Sequence, residues 1–204
     1  MLVKVKHSSN SGNTPVALAS GELALNVVDQ LLYFGHANGT TAILANGASL
    51  LTFSTAQISS NIDQVPANTT AWRITFNNND LLVGISHVPG NTRVTVLSNG
   101  WYTIIATGNY LRIGGGGNQR FADCWLRRNN LDIQTAVTRT TLSSPLLSYP
   151  MLIYHTMRLT TNDYIEVIQA IDNTLGAPGL RTGVTLAGGP ALNSISLKII
   201  KLAN

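Results

Sequence analysis

Short β-type stretches separated by turn signals recur at regular spacing from residue 65 to the C terminus, with almost no helical periodicity between them. Turn sequences such as Pro89-Gly90-Asn91 and Asn99-Gly100 punctuate this part of the chain. The predicted strands are 72–76, 81–88, 93–97, 101–106, 110–113, 121–127, 131–135, 151–159, 164–171 and 195–202, with a first strand at 1–6 and a short strand at 184–186. A break is predicted at Gly108-Asn109 and a turn at Asn129-Asn130. Short strands at this spacing are typical of β-sandwiches and jelly rolls, so the sequence predicts an all-β fold.

The N-terminal part has a pattern of its own, centred on residues 21–35. Leu23 and Leu25 alternate with polar or small residues, a polar corner follows at 27–30, and an apolar run returns at 31–34 before Gly35. This pattern predicts a β-hairpin. A hairpin of this size is marginally stable in water by itself, so it needs further strands, from its own chain or from copies of it.

The run Gly21-Glu22-Leu23-Ala24-Leu25-Asn26, followed by Asp29, Leu32-Tyr33 and Gly35, resembles the N-terminal attachment segment of bacteriophage fibre and head-decoration proteins. The resemblance implies a β-prism-like hairpin that packs around a threefold axis and docks on the virion. Its expected docking and trimer core is formed by Leu23, Leu25, Leu32, Tyr33 and Phe34. The alternative interpretation is an ordinary N-terminal hairpin without a docking role.

Three later segments carry a second resemblance. Residues 99–104 (Asn-Gly-Trp-Tyr-Thr-Ile), 125–129 and 162–167 (Asn-Asp-Tyr-Ile-Glu-Val) are similar, in this order, to strands of the C1q and tumour-necrosis-factor-like jelly roll. Asn130 and Asn162 stand where that family usually has glycine, and asparagine is the next-best residue for left-handed backbone angles. The resemblance spans residues 65–204 and implies a homotrimer.

The alternation within residues 164–168 gives a physical reason for self-association. Ile165 and Val167 point to one face of the predicted strand, whereas Tyr164, Glu166 and Ile168 point to the other. Because both faces carry apolar residues, a second buried surface is expected, and another subunit would supply it. We therefore expect Tyr102, Tyr164 and Ile168 to line the threefold contact of the head.

Composition excludes several classes of partner. The 13 basic residues do not cluster into the stripe that nucleic-acid binding requires, so no nucleic acid is expected. The chain has no run of about 18 apolar residues, so insertion into a membrane is not expected. No signal peptide is recognisable, which favours synthesis in a host cytoplasm before assembly.

A single cysteine, Cys124, allows neither an intramolecular disulfide nor a cysteine-based metal site. No cofactor or metal is expected.

The sequence does not favour an enzyme. Glutamate occurs only at positions 22 and 166, in the hairpin and inside a predicted strand, and turn or strand-end roles account for the aspartates. A sugar hydrolase would need a facing pair of carboxylates. The run Gly114–Gly117 lacks the Lys-Ser/Thr of a phosphate loop, and a thiol nucleophile at Cys124 would need a base such as His155 beside it.

These observations divide the chain into an attachment and trimerisation segment at residues 1–50, a linker or short helix at 51–64 and a jelly-roll head at 65–204. The predicted function is that of a homotrimeric capsid decoration, cement or head-fibre protein on the virion surface, bound to the major capsid protein or another virion protein. The alternative is a short tail fibre that recognises host surface glycans through the Gly/Pro-rich residues 173–193. A secreted C1q-like domain would leave the N-terminal hairpin unexplained, and a sugar hydrolase would lose turnover when one aspartate is changed.

Overall fold

The computed structural model describes residues 5–46, 53–114, 118–183 and 192–203. This part of the chain is all β, and it contains no helix of the length and hydropathy that crossing a bilayer requires. Its strands are β1 (Lys6–Ser8), β2 (Leu23–Asn26), β3 (Leu31–Gly35), β4 (Thr41–Asn46), β5 (Thr55–Ser60), β6 (Trp72–Arg73), β7 (Asn78–Val83), β8 (Ile85–Ser86), β9 (Val94–Val96), β10 (Gly100–Leu111), β11 (Arg120–Arg128), β12 (Leu131–Leu142), β13 (Tyr149–Leu159), β14 (Tyr164–Ile171), β15 (Gly179–Leu180) and β16 (Ile195–Ala203).

The chain forms two compact units, Met1–Thr52 and Phe53–Asn204. The first unit is a four-stranded sheet in the order β1-β2-β3-β4. Strands β2 and β3 form an antiparallel hairpin in which Leu23 lies opposite Phe34 and Leu25 opposite Leu32, so the predicted hairpin is confirmed. The first strand, predicted at residues 1–6, is β1 at Lys6–Ser8, and residues 1–4 lie outside the described part of the chain.

The second unit is a sandwich of two sheets. The first sheet has the order β13-β10-β16-β5-β7, with β15 beside β10, and the second has the order β12-β11-β14-β9-β8, with β6 beside β14. Strands early in the unit pair with strands late in it, β5 with β16, β9 with β14 and β10 with β13, around the central hairpin β11-β12. This nested pairing is the arrangement of a jelly roll, which confirms the predicted fold class.

The core lies between the two sheets and follows the alternation of the long strands. On β10, Tyr102, Ile104 and Ala106 point inward and have no exposed surface. On β14, Ile165 and Val167 point inward in the same way. Because side chains alternate strictly along a strand, burying these sets sends the intervening residues of both strands to the outer faces of the sandwich.

The predicted linker at residues 51–64 is wrong. This segment contains β5, which pairs with β16 on one side and β7 on the other, and whose Ala56 and Ile58 side chains are fully buried. The apolar–polar alternation of β5 is too short to predict a strand from the sequence. Its pairing with β16 could not be read from neighbouring residues, because β16 lies at the other end of the unit in the chain. Residues 51 and 52 lie outside the described part of the chain.

A strand break predicted at Gly108-Asn109 is also wrong, because β10 continues to Leu111. A Cβ atom at Gly108 would lie 2.8 Å from the Leu180 side chain and 2.8 Å from the Ser194 carbonyl oxygen. The glycine therefore permits close packing inside a strand and does not end it. A short strand predicted at 184–186 lies outside the described residues.

Candidate interaction surfaces

The N-terminal hairpin has two different faces. Ala24 and Tyr33 are cross-strand partners on one face, where they pack with Leu18 in a small core of the first unit. The opposite face carries Leu23, Leu25, Leu32 and Phe34, which we call the hairpin face. Leu25 is 38% exposed and the other three are half-buried. Four of the five predicted attachment residues thus share a surface, whereas Tyr33 belongs to the core of its own unit.

The hairpin corner is held by two polar residues to which the sequence reasoning gave no role. The Asn26 side-chain amide donates to Asp29 Oδ2 at 2.8 Å, and Asn26 Oδ1 accepts from the backbone NH of Asp29 at 3.0 Å. The same Asp29 oxygen accepts from the backbone NH of Gly12 at 2.6 Å. Both residues belong to the motif that resembles the phage segments, and their three-residue spacing in that motif is the sequence feature that could have indicated these hydrogen bonds. The hydrogen bonds connect the hairpin to the preceding loop.

The expected head contact at Tyr102 needs correction. Tyr102 has no exposed surface in the single chain, and its hydroxyl donates to the Ser98 carbonyl oxygen at 2.8 Å inside the jelly roll. A side chain enclosed by its own unit cannot line a contact between copies. The inward-facing and outward-facing sets of β10 both contain large apolar residues, which is why the pattern alone did not separate them.

Tyr164 and Ile168 lie on the outer face of the second sheet, as their alternation predicts, but their own chain shields them. The Arg93 guanidinium lies over the Tyr164 ring, 4.3 Å from its centroid. Ile168 is between Trp125 on β11 and Arg73 on β6 and has no exposed surface. The expectation that Ile168 contacts another subunit is therefore wrong, and most of Tyr164 is covered in the same way.

An exposed apolar surface does exist, on the outer side of the first sheet. It is formed by outward-pointing residues of β13, β10, β16 and β7, and the cross-strand register places them in rows. The outward-pointing residues of β5, between β16 and β7, are polar. We call this exposed surface the apolar face, and its members are Leu81, Val83, Trp101, Ile105, Leu152, Tyr154 and Ile200. Trp101 is 47% exposed, Leu152 59% and Tyr154 65%. In the sequence, the alternation of Trp101, Thr103 and Ile105 with the inward-pointing residues of β10 indicated this second face.

The outer face of the second sheet instead carries a charged cluster around Glu166. This side chain is fully buried, and its Oε1 accepts from Thr92 Oγ1 at 3.0 Å. The Nε atoms of Arg73 and Arg93 lie 3.3 and 3.6 Å from the same oxygen, on side chains that are 48% and 52% exposed. Glu166 Oε2 is buried without a hydrogen-bond partner among the described residues.

The lone thiol is in the core of the jelly roll. Burial raises the pKa of Cys124 to about 12, so the thiol stays protonated at neutral pH. A thiol nucleophile needs the thiolate, and this environment disfavours it. Among the described residues, no group of three or more His, Cys, Asp or Glu side chains is placed to hold a metal ion.

Comparisons with known proteins add little to these observations. No protein-family model matches the chain, and no curated protein matches it. Among solved structures, the chain is similar to a crystal structure of murine APRIL at pH 8.0, with 12% sequence identity, a TM-score of 0.47 and coverage of 74% of this chain and 100% of that one. The strand pairing of the second unit by itself defines the class of the protein, an all-β chain with a jelly-roll sandwich.

Proposed function

We propose that this chain is a non-enzymatic structural protein of a bacteriophage virion, namely a homotrimeric capsid decoration, cement or head-fibre protein. Its jelly-roll unit is the trimeric head, and its N-terminal unit docks on the major capsid protein or another virion protein. The observation that carries this proposal is the apolar face of the first sheet. The number of subunits and the virion setting come from the two sequence resemblances.

The apolar face has the properties of a surface that is covered in the assembled protein. Its side chains come from four strands of one sheet, and the polar residues among them include Lys198 on β16, Arg158 on β13 and Gln57 on β5. Large apolar side chains gathered on one exposed face are typical of a surface that contacts a partner. Another copy of the chain is the proposed cover, because a closed ring of identical copies buries the same surface on every subunit.

The hairpin face supports the docking role. Leu23, Leu25, Leu32 and Phe34 lie together on one side of the β2-β3 hairpin, while the other side packs against Leu18. A two-stranded element with an apolar outer side gains stability by packing against a partner. The proposed partner is a protein of the virion.

Self-association is tested with a matched pair of variants. Leu152 on the apolar face and Val137 on β12 of the other sheet are 59% and 58% exposed. We expect wild type and Val137→Lys to sediment as trimers and Leu152→Lys to sediment as a monomer, because a lysine buried between subunits loses its hydration. Analytical ultracentrifugation measures the mass, and circular dichroism verifies folding. A folded wild-type monomer at every concentration would refute the proposal.

Docking is tested on particles from a lysate in which the chain is expressed. Antibodies against the chain, detected by immunogold electron microscopy, should label the capsid. Leu25→Asp on the hairpin face should abolish labelling, whereas Val28→Asp, at a 53% exposed position in the hairpin turn, should preserve it. Labelling of the tail tip would instead favour the receptor-binding alternative, and unlabelled particles would contradict a virion role.

A further inference from the structure

We infer that the outer face of the second sheet carries an oxyanion-binding pocket, in which Arg73 and Arg93 bind a carboxylate, sulfate or phosphate group of a ligand. The pocket has a volume of about 370 Å³ and is lined by Arg73, Gly90, Asn91, Thr92, Arg93 and Glu166. This volume is within the usual range for small-molecule sites. The proposed virion function assigns no role to it.

The buried Glu166 side chain lines the pocket and orients both arginines. Each guanidinium approaches Glu166 Oε1 through its Nε atom, at 3.3 Å for Arg73 and 3.6 Å for Arg93. Because an arginine side chain has five N–H donors in a rigid fork, this contact leaves the terminal Nη groups to face other acceptors. Among the described residues, Asn130 is the acceptor for Arg73 Nη2, at a long 3.4 Å.

The position of Arg93 is further fixed by stacking. Its guanidinium carbon lies 4.3 Å from the centroid of the Tyr164 ring, a geometry in which a cation is attracted to the ring face. The edge of the guanidinium keeps its donors available while its plane is held. Preorganised donors lose less conformational entropy when a ligand binds than mobile ones do.

The charges of the cluster do not cancel. Glu166 offsets one of the two arginines, and the nearby acids have other partners: Asp132 binds Arg127 at 2.6 Å, and Asp163 binds Arg128 at 2.7 Å. The pair therefore keeps a net charge of one positive unit at a half-exposed site. Two arginines on one carboxylate oxygen exceed what neutralising Glu166 requires, and a guanidinium fork matches an oxyanion in both charge and geometry.

The pocket is compatible with the proposed assembly but does not depend on it. It lies on the second sheet, whereas the apolar face proposed to contact other copies lies on the first. A trimer built through the first sheet would present one such pocket per subunit to its surroundings. The ligand class is therefore an acidic small molecule or an acidic group on a larger partner.

The test is a calorimetric titration of the full chain with sodium sulfate and with sodium acetate, at ionic strength held constant with chloride. We expect saturable binding with a dissociation constant of roughly 1–10 mM. Arg73→Gln and Arg93→Gln should each weaken it about tenfold or more. Arg139→Gln removes the same charge from an arginine that pairs with Asp123 elsewhere on this sheet, and it should bind as wild type does. Stronger sulfate binding would indicate a tetrahedral ligand group, and stronger acetate binding a planar one.

Glu166→Gln decides between a ligand site and a purely structural ion cluster. Glutamine keeps an oxygen facing the two Nε atoms but removes the negative charge, so we expect the folded variant to bind sulfate roughly three- to tenfold more tightly. Equal weakening by Arg93→Gln and Arg139→Gln, absence of saturable binding, or weaker binding by folded Glu166→Gln would each overturn the inference.

Discussion

At the scale of single residues, the turn between β11 and β12 depends on two asparagines with left-handed backbone angles. Asn129 has a φ of 49° and Asn130 a φ of 66°, as expected of a two-residue hairpin turn, where glycine is preferred at the second position. We predict that Asn130→Gly lowers the free energy of unfolding by no more than about 0.5 kcal/mol and can raise it, because glycine adopts a positive φ freely. Asn130→Ala should lower the free energy of unfolding by about 1 kcal/mol. Urea unfolding measures both, and a stable alanine variant would contradict the argument.

Asp163 is the acceptor centre of the following turn. It accepts from the Thr160 backbone NH at 2.7 Å and from Asn129 Nδ2 at 2.6 Å, and it pairs with Arg128 at 2.7 Å. Burial alone would raise the pKa of Asp163, but these hydrogen bonds and the arginine hold the pKa below its ordinary value.

A carboxyl group with a lowered pKa in the folded state stabilises the fold above its unfolded pKa of about 3.9. This contribution is lost as pH falls through the lower folded value. We predict that Asp163→Asn lowers the free energy of unfolding by about 1–3 kcal/mol at pH 7. The difference from wild type should shrink as urea unfolding is repeated below about pH 4. Asp172→Asn, at an exposed position, is the control and should have little effect.

At the scale of elements, β10 is the strand on which both sheet order and packing depend. It pairs with β13 on one side and β16 on the other, and Gly108 is where β15 and the residues before β16 approach its backbone. We predict that Gly108→Ala lowers the free energy of unfolding by about 1–3 kcal/mol, because its methyl group would overlap the Ser194 carbonyl oxygen. Gly114→Ala, where no atom lies within 4 Å of the added Cβ, should be neutral in the same denaturant titration.

At the scale of the whole molecule, the proposed trimer links stability to concentration. If the apolar face is buried between copies, dissociation accompanies unfolding, and the melting temperature should rise with protein concentration. We predict this rise for wild type over a roughly hundredfold range in scanning calorimetry, and a constant melting temperature for Leu152→Lys. A constant value for wild type would mean that the face stays exposed in the folded protein.

The sequence by itself determined most of the long strands of the second unit and the alternation of side chains along them. Alternation along residues 164–171 and 195–202, the Asn129-Asn130 turn and the hairpin at 21–35 are local properties, because a period of two and a positive φ are set by neighbouring residues. The all-β class followed from this spacing, which allowed a sandwich or a jelly roll, and the resemblance of residues 65–204 implied the jelly roll. The four residues of the hairpin face were among the predicted attachment residues, and Tyr33 was the residue assigned to the wrong side.

Only the tertiary structure decided which face of each strand is covered by its own chain. Both sets of β10 side chains contain large apolar residues, so whether Tyr102 or Trp101 faces solvent depends on where the second sheet lies. The role of β5 as a central strand depends on pairing with β16, and the Glu166 cluster depends on bringing Arg73, Arg93 and Glu166 together from three strand regions. Contacts between residues distant in the chain leave no local period, and for this reason they were decided by the packing of the sheets.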